Sequence, residues 1–327
     1  MADDVEVLAI DDRERWIAAH RDAGLPSQSW HYAWALSASG VRPKLAIVRS
    51  GGARMMLPFY EREWLGSIDI ATLIGHSGAS ILPSSTAPLS LWHEYAAAQG
   101  WVAGYIQLST SVDLDGEAVA GELVDLNEWF VLDLRPENLF ETFAEIVRRK
   151  VQRCSRDGFI LVDDRPALSE SLRQLFPTAM ERVDARIHYH FSPQTLDRWA
   201  LDPSSIVLGG SLANAIEAVS VFVVAGDEAE YHINGCTKRG RGLAAWLIWN
   251  AIVRLKAKGV RTLHLGGGVK RGDGLDQFKQ KFRGTPKTLH AVRQIYDRPR
   301  YLELCRQANV PPTHHWFPAY RAAPAAA

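Results

Sequence analysis

The chain has 327 residues, and its 37 Lys and Arg balance 37 Asp and Glu, so the formal net charge is zero. Hydrophobic residues make up 47% and charged residues 23%, which is typical of a soluble globular protein. No apolar run reaches the roughly 18 residues that a membrane-spanning helix needs, and the acidic N-terminal sequence does not have the pattern of a secretory signal. The three cysteines form neither a zinc spacing nor a disulfide pattern. We therefore expect a cytoplasmic protein, most simply of two domains.

The charge is distributed unevenly along the chain. Residues 1–127 contain 8 Lys and Arg against 16 Asp and Glu, and residues 128–327 contain the remaining 29 and 21. Within 238–300 there are 16 cations and three acidic residues. Such a concentration of positive charge suits a polyanionic ligand such as tRNA or a nucleotide, although a solvated basic surface would have the same composition.

The first half of the sequence predicts alternating strands and helices. A Gly-His-Ser-Gly loop at 75–78, which contains His76, ends a strand-like segment, and its glycines allow close backbone approach or a positive φ. In chain order, the expected elements are a helix beginning near Trp30, a hairpin of 45–49 and 53–59, a strand from residue 69, a helix at 89–99 and a strand at 105–108.

The middle of the chain predicts a strand at 129–134 and then a basic helix from about 137 to 157. Arg149 and Arg153 lie at i and i+4, on one face of this helix. Like charges this close repel one another, so they require a counter-anion from solvent or a ligand. We interpret both arginines as ligand-binding residues.

Two histidines raise the question of a metal site. His188 and His190 alternate as they would on a strand. A metal ion would need a third ligand, and the sequence does not indicate one, so we predict no metal site.

The stretch from 217 to 284 is the most informative part of the sequence. An apolar run at 218–224 and a strand-like segment at 229–235, joined by a turn with a glycine, predict a hairpin, and Tyr231 lies in its second strand. A basic glycine loop at 237–242, with Arg239 and Arg241, comes before a predicted helix, where backbone N–H groups can face an anion. The elements that follow are a helix at 243–258 with a capping Gly259, a strand at 260–265, three glycines at 266–268 and the segment 274–282.

This order of hairpin, glycine loop, helix and strand resembles the second half of a GNAT-type acyltransferase domain. The closing residues resemble the C-terminal signature of Fem-type proteins: Leu-His-Leu-Gly-Gly-Gly at 263–268, Gly-Leu at 274–275, then Phe278, Lys279 and Phe282. That family has a double GNAT-like fold. It contains the aminoacyl-tRNA-dependent transferases that build peptidoglycan cross-bridges.

The resemblance implies an α/β (α+β) protein with two tandem GNAT-like domains, whose mixed sheets are flanked by helices. We place the domains at 1–127 and 128–327. In the family, the loop that matches 75–78 lines the acceptor cleft, and a basic helix similar to 137–157 has an inferred acceptor-phosphate or tRNA role. The candidate substrate-binding residues are His76, Arg149, Arg153, Tyr231, Arg239, Arg241, Gly267 and Phe278.

One segment departs from the peptidoglycan-type pattern. Those family members tend to carry a lysine just after the aromatic helix, where it helps to hold the acceptor's phosphates. This chain has Ser-Ala-Ser-Gly at 37–40 instead. The departure argues against a UDP-muramyl peptide as the acceptor.

The expected reaction is transfer of an acyl group to an amine. Its energy barrier comes from forming the oxyanion of the tetrahedral intermediate. Preorganised donors or a cation lower that barrier. The family match assigns this role to Lys279, with Lys281 as the neighbouring alternative, although an exposed helix lysine would have the same sequence pattern. No Ser-His-Asp or Cys-His spacing predicts a covalent intermediate, so we expect direct transfer. No cofactor is predicted, and the donor is expected to be aminoacyl-tRNA.

Two other functions fit the sequence. The segment 239–244 fits the R-x-x-G-x-A pattern of CoA pyrophosphate loops in GNAT enzymes, which indicates an acyl-CoA-dependent N-acyltransferase as the alternative. A non-catalytic binding protein with the same fold is the second alternative, because fold does not determine function. The sequence identifies neither the amino acid nor the amine acceptor.

Overall fold

The computed structural model describes residues 3–21, 24–114, 118–183 and 189–322. The helices are α1 Arg13–Arg21, α2 Trp30–Ser37, α3 Ala87–Ala98, α4 Leu139–Thr142, α5 Glu145–Arg156, α6 Arg165–Arg182, α7 Pro193–Leu201, α8 Ala244–Ala257, α9 Gly274–Gln280 and α10 Arg298–Gln307. The strands are β1 Asp4–Ala9, β2 Pro43–Ser50, β3 Ala53–Trp64, β4 Ser67–Thr72, β5 Ser80–Leu82, β6 Ala103–Gln107, β7 Glu122–Asp133, β8 Ile160–Val162, β9 Ile206–Leu212, β10 Ala215–Ala225, β11 Glu228–Cys236, β12 Thr262–Gly266 and β13 Thr285–Ile295. Within the described ranges, no helix is long and apolar enough to cross a membrane.

The chain divides into two compact units that are discontinuous in sequence. The first unit contains Met1–Gly24, Arg42–Leu126 and Thr288–Ala327, and the second contains Leu25–Val41 and Asn127–Lys287. One boundary between the units lies at residues 126–127. However, the early segment Leu25–Val41 groups with the second unit, and the C-terminal segment Thr288–Ala327 groups with the first. The assignment of GNAT-like domains to 1–127 and 128–327 stays a prediction.

The first unit is built on a mixed sheet with the strand order β1-β2-β3-β4-β6-β13, and β5 also pairs with β3. The pairs are antiparallel except β4 with β6, which is parallel. The hairpin of β2 and β3 turns at Gly51 and Gly52, which both have positive φ, as a tight turn requires. Apolar residues of these strands pack with Leu89 and Trp92 of α3 in one buried core.

A buried ion network ties the C-terminal segment to β4 in the first unit. The carboxylate of Asp69 accepts hydrogen bonds from Arg62 at 2.7 Å, from Arg321 at 2.6 Å and from the Tyr320 hydroxyl at 2.9 Å. Tyr320 and the Asp69 carboxylate are almost fully buried. A charge is tolerated there because it is paired and hydrogen-bonded. The last described residues are thus a packed part of this unit.

The second unit has the sheet order β7-β12-β11-β10-β9-β8. Only β11 and β12 are parallel among these pairs. The predicted hairpin is present as β10 and β11, and the predicted helix is α8, followed by Gly259 with φ of +80°. The buried face of α8 presents apolar residues at helical spacing to the sheet, among them Leu247, Ile248 and Ala251.

The early segment Leu25–Val41 has polar contacts with β11 and α7 inside the second unit. Both the backbone N–H and the hydroxyl of Ser27 donate to the Glu230 carboxylate, at 3.2 and 3.1 Å. Ser39 lies 2.7 Å from the Thr195 hydroxyl and accepts the Ser192 N–H at 2.9 Å. Within 37–40, Ser39 therefore forms structural hydrogen bonds between the end of α2 and the start of α7.

Candidate functional site

A glycine bend follows β12 and leads into α9. Gly266 has φ of +70°, a left-handed conformation that favours glycine. A Cβ atom on Gly267 would lie 2.2 Å from the carbonyl oxygen of Glu128, and one on Gly268 would lie 2.3 Å from Oδ1 of Asp273. Both distances are far below van der Waals contact, so the bend fits between β7 and α9 only because these residues have no side chain.

Asp273 fixes the bend to the first turn of α9. Its Oδ1 accepts the N–H groups of Leu275 and Asp276 at 2.9 and 2.8 Å, and its Oδ2 accepts those of Val269 and Lys270 at 2.7 and 2.9 Å. Burial alone would raise the pKa of Asp273, but these backbone hydrogen bonds leave that pKa below its ordinary value. The carboxylate therefore stays ionised and serves as the N-cap of the helix.

Lys279 is buried under this bend, with 6% of the residue exposed. Its Nζ donates to the carbonyl oxygen of Gly267 at 2.8 Å. Burial lowers the pKa of Lys279 from 10.5 to about 7, against the opposing charges of Asp273 and Asp276. The side chain therefore exchanges protons near neutral pH, where an ordinary lysine is fully charged. The expectation that this lysine could be an exposed helix residue is wrong.

Aromatic residues join α9 to the start of α5. Phe278 and Phe282 meet edge to face with ring centroids 5.3 Å apart, and Phe282 meets Phe143 in the same manner at 5.2 Å. The N–H of Ala144 donates to the carbonyl oxygen of Lys281 at 2.9 Å. The prediction of a single helix over 137–157 is wrong, because Phe143 is extended and separates α4 from α5.

The parallel strands β11 and β12 separate along their length. They pair only from Glu228 to Glu230 on β11 and from Thr262 to His264 on β12, although β11 continues to Cys236. Tyr231 comes directly after the paired region. Its ring packs on Phe222 with centroids 5.2 Å apart within the hydrophobic core of the unit, and burial strongly raises the pKa of its hydroxyl. Tyr231 therefore faces the core of this unit.

The predicted anion-binding loop forms a turn of 3-10 helix from Arg239 to Gly242, directly before α8. Arg239 and Arg241 are both exposed. The carboxylate of Glu217, on β10, lies beside the loop, where it accepts the Thr237 hydroxyl and stands 3.7 Å from Arg239. A buried carboxylate in this position offsets part of the positive charge that would attract a pyrophosphate.

The two arginines singled out on α5 are exposed and have carboxylate neighbours on the same helix. Arg149 lies 3.6 Å from Glu145, and Arg153 donates to Asp157 at 2.9 Å. Exposed pairs of this kind contribute little to stability and exchange easily with solvent ions. The counter-anion that the sequence required is therefore supplied, at least in part, by the helix itself.

The remaining predictions concern other parts of the chain. His76 lies half-buried in the loop after β4, in the first unit, whereas the other candidate residues belong to the second. His188 is outside the described residues, and His190 lies outside any strand. Among the residues that the structure describes, no group of three His, Cys, Asp or Glu side chains could hold a metal ion.

The structure thus joins Lys279 to Gly267 by a hydrogen bond, places Phe278 on the same helix in contact with Phe282, and adds the carboxylates of Asp273 and Asp276, which sequence reasoning missed. The sequence Asp-Gly-Leu-Asp at 273–276 contained a signal for Asp273, since an aspartate before a helical segment is a preferred N-cap. Asp276 had no comparable signal, because its burial depends on how the bend folds onto α9.

Comparison with solved structures identifies the fold. FemX matches over 92% of this chain and 99% of its own, with a TM-score of 0.64 and 12% identity. The C-terminal domain of a protein assigned as a lysylphosphatidylglycerol synthetase, from Agrobacterium fabrum, matches over 91% and 95%, with a TM-score of 0.59 and 17% identity. L-PGS from Bacillus licheniformis matches over 90% and 96%, with a TM-score of 0.58 and 15% identity. No protein-family model and no curated protein sequence matches the chain.

The chain therefore has the mixed α/β fold of the tandem GNAT-like proteins. The predicted resemblance to Fem-type proteins is confirmed at the level of the fold, and the neighbours include FemX and lysylphosphatidylglycerol synthetase domains.

Proposed function

We propose that this protein is an acyltransferase that moves an aminoacyl group from a charged tRNA onto an amine acceptor, without a covalent enzyme intermediate. The observation that carries the proposal is the buried Lys279, held under a glycine bend in a fold shared with FemX. A charged tRNA as donor would place the reaction in the cytoplasm.

In this reaction the amine nitrogen attacks the ester carbonyl, and the oxyanion of the tetrahedral intermediate develops as the C–N bond forms. The ester C–O bond then breaks, and the proton lost by the amine balances the one gained by the leaving hydroxyl. The ammonium of Lys279 stabilises the negative charge in a site shielded from water, where electrostatic interactions are strong. The hydrogen bond to Gly267 keeps the ammonium in place before the reaction, so little reorganisation is needed.

The test is an assay of the purified protein with charged tRNAs and acyl-CoAs in parallel, each with amine acceptors. We expect transfer from charged tRNA, and we expect Lys279→Met to lower turnover by about 10² to 10³, since one transition-state interaction contributes roughly 3–4 kcal/mol. Lys281→Met is the matched comparison, because Lys281 is the neighbouring, less buried alternative; a large loss of turnover in that variant alone would transfer the role to Lys281. Turnover of Lys279→Met within about threefold of the wild type, roughly 0.6 kcal/mol, would show that the lysine has no role in the reaction.

An acyl-CoA-dependent N-acyltransferase is the second candidate. It is favoured by the exposed Arg239 and Arg241 at the 3-10 turn that begins α8, where a pyrophosphate could meet backbone N–H groups. The carboxylate of Glu217 beside that loop counts against this candidate, because it offsets part of the charge of Arg239. Transfer from acyl-CoA alone in the parallel assay would decide for the second candidate.

A further inference from the structure

Glu217 is a buried acid next to the glycine loop 237–242. It lies on β10, where the register with β9 shifts by one residue between Ile216 and Ala218. A β-bulge of this kind breaks the regular alternation of side chains along a strand and re-aims one of them. Glu217 is 7% exposed. The sheet therefore brings a negative charge, largely removed from solvent, to a loop whose sequence predicts anion binding.

The loop is folded directly onto Glu217. The backbone carbonyl of Glu217 accepts the N–H of Thr237 at 2.9 Å, and its carboxylate accepts the Thr237 hydroxyl. That hydroxyl in turn accepts the N–H of Gly240 at 3.0 Å. A Cβ atom on Gly240 would lie 2.0 Å from the carbonyl oxygen of Glu217, so this approach requires glycine. One backbone N–H of the loop is thus already used by a side chain that the carboxylate holds.

The carboxylate also changes the charge that the loop presents. Its Oε1 lies 3.7 Å from Nη1 of Arg239, the first arginine of the R-x-x-G-x-A segment. The Arg239 side chain is 65% exposed, so it keeps its contact with solvent. A pyrophosphate bound by the backbone N–H groups of the loop, in contrast, would lie beside a buried negative charge. Repulsion between like charges is strong where water is excluded.

We propose that Glu217 is a specificity-determining residue, whose carboxylate serves as the internal anion of the loop 237–242 and keeps the pyrophosphate of an acyl-CoA out. The inference rests on the proposed function, because it explains how a loop with the sequence pattern of CoA-binding enzymes belongs to an enzyme that uses another donor. It assigns the exclusion of one class of donor to a single charge.

The experiment measures CoA binding to the purified protein by isothermal titration calorimetry. We expect Glu217→Gln to bind CoA at least about tenfold more tightly than the wild type, because it removes the like charge and keeps an oxygen for the Thr237 hydroxyl. Asp227→Asn is the matched control, since it removes an exposed carboxylate from the turn at the opposite end of β10. Pantetheine, which lacks the pyrophosphate, should bind no better to Glu217→Gln than to the wild type.

Two further variants separate the charge from the hydrogen bonds and locate the bound ligand. Thr237→Val releases the N–H of Gly240 but keeps the carboxylate, so we expect no comparable gain. The double variant Glu217→Gln/Arg239→Gln should lose most of the gain, because the pyrophosphate would be bound at this loop. Glu217→Ala serves if the glutamine variant does not fold.

A CoA dissociation constant of Glu217→Gln within about threefold of the wild type overturns the proposal. An equal gain in Asp227→Asn, in Thr237→Val or for pantetheine also overturns it, because the effect would then not be that of the Glu217 charge on a pyrophosphate. A gain that survives Arg239→Gln does the same, since CoA would be bound elsewhere. Absence of transfer by the wild type from every donor would instead refute the proposed function, whereas these binding measurements need no transfer.

Discussion

At the scale of single residues, Lys279 links stability to function through the free energy of burying a charge. An ammonium inside the second unit loses its hydration, and the one hydrogen bond to Gly267 does not fully replace it. The lowered pKa is the measure of this loss, because it means that folding disfavours the charged form. A residue retained at such a cost is expected at a functional site rather than in an optimised core.

We therefore expect Lys279→Met to make the protein more stable while it loses activity. The pKa falls from its ordinary value of 10.5, which the unfolded chain retains, to about 7 in the folded chain, so between these values the unfolded chain binds a proton that the folded chain does not. The penalty is complete below about pH 7, and stability rises with pH until the penalty vanishes above about 10.5. After allowance for the lost hydrogen bond, the gain at pH 7 should be about 1–3 kcal/mol.

Urea denaturation at pH 7 and at pH 10 measures this free energy of unfolding, with Lys281→Met as the control at both values. The advantage of Lys279→Met should be smaller at pH 10, because most of the penalty for burying the wild-type lysine has been relieved by then. A variant less stable than the wild type at pH 7 would contradict the prediction.

At this scale the sequence predicted which lysine to examine but not its environment. Lys279 and Gly267 were both found through the family signature. Their hydrogen bond joins residues twelve positions apart, and it depends on a bend whose glycines allow β7 to approach α9. No local pattern of helix or strand periodicity contains that information, so the burial of Lys279 and of Asp276 is seen only in the folded chain.

At the scale of elements, periodicity predicted the hairpin of β10 and β11 and the helix α8 well, because each has an apolar face of regular spacing. The basic helix was predicted as one element and is two. The break at Phe143 is caused by a tertiary hydrogen bond, from Ala144 to Lys281, and by the packing of Phe143 on Phe282. Interactions with a segment well over a hundred residues away override the local preference for a continuous helix.

The 3-10 turn before α8 gives a prediction that separates the two donors. Under the CoA hypothesis, Arg239→Ala and Arg241→Ala should each raise the Michaelis constant for acyl-CoA with a smaller effect on turnover, because both remove contacts to a phosphate that does not react. Under the tRNA hypothesis, the same variants should weaken tRNA binding whatever amino acid it carries.

Steady-state kinetics and tRNA binding distinguish these outcomes. Lys258→Ala, which removes an exposed cation at the opposite end of α8, is the matched control. If neither arginine variant alters acyl-CoA kinetics, the sequence motif at 239–244 no longer supports a CoA donor.

At the scale of the whole molecule, the excess of cations in the C-terminal part predicts a strong dependence of tRNA binding on salt. Each phosphate that the protein neutralises releases counterions, so the logarithm of the binding constant should fall with the logarithm of salt concentration, with a slope of about 0.7 to 0.9 per contact. The double variant of Arg149 and Arg153 to Gln should reduce this slope if α5 contacts phosphates. Arg306→Gln, an exposed arginine of α10 in the first unit, should not.

Filter binding of charged tRNA between about 50 and 200 mM salt provides the measurement. A binding constant that barely changes over this range would refute a polyanionic ligand. The sequence predicted the uneven charge but not which segments form each unit. No linker or change in periodicity marks Leu25–Val41 as part of the second unit or Thr288–Ala327 as part of the first.

The discontinuous first unit has a consequence for the order in which the protein is made. Asp69 of β4 leaves the ribosome 251 residues before Tyr320, one of the partners of its carboxylate. At a synthesis rate of about 5–20 residues per second, β4 waits roughly 10 to 50 s for those partners. By then every residue of the second unit has been translated, because that unit ends at Lys287. The unit that is begun first is therefore the one that is completed last.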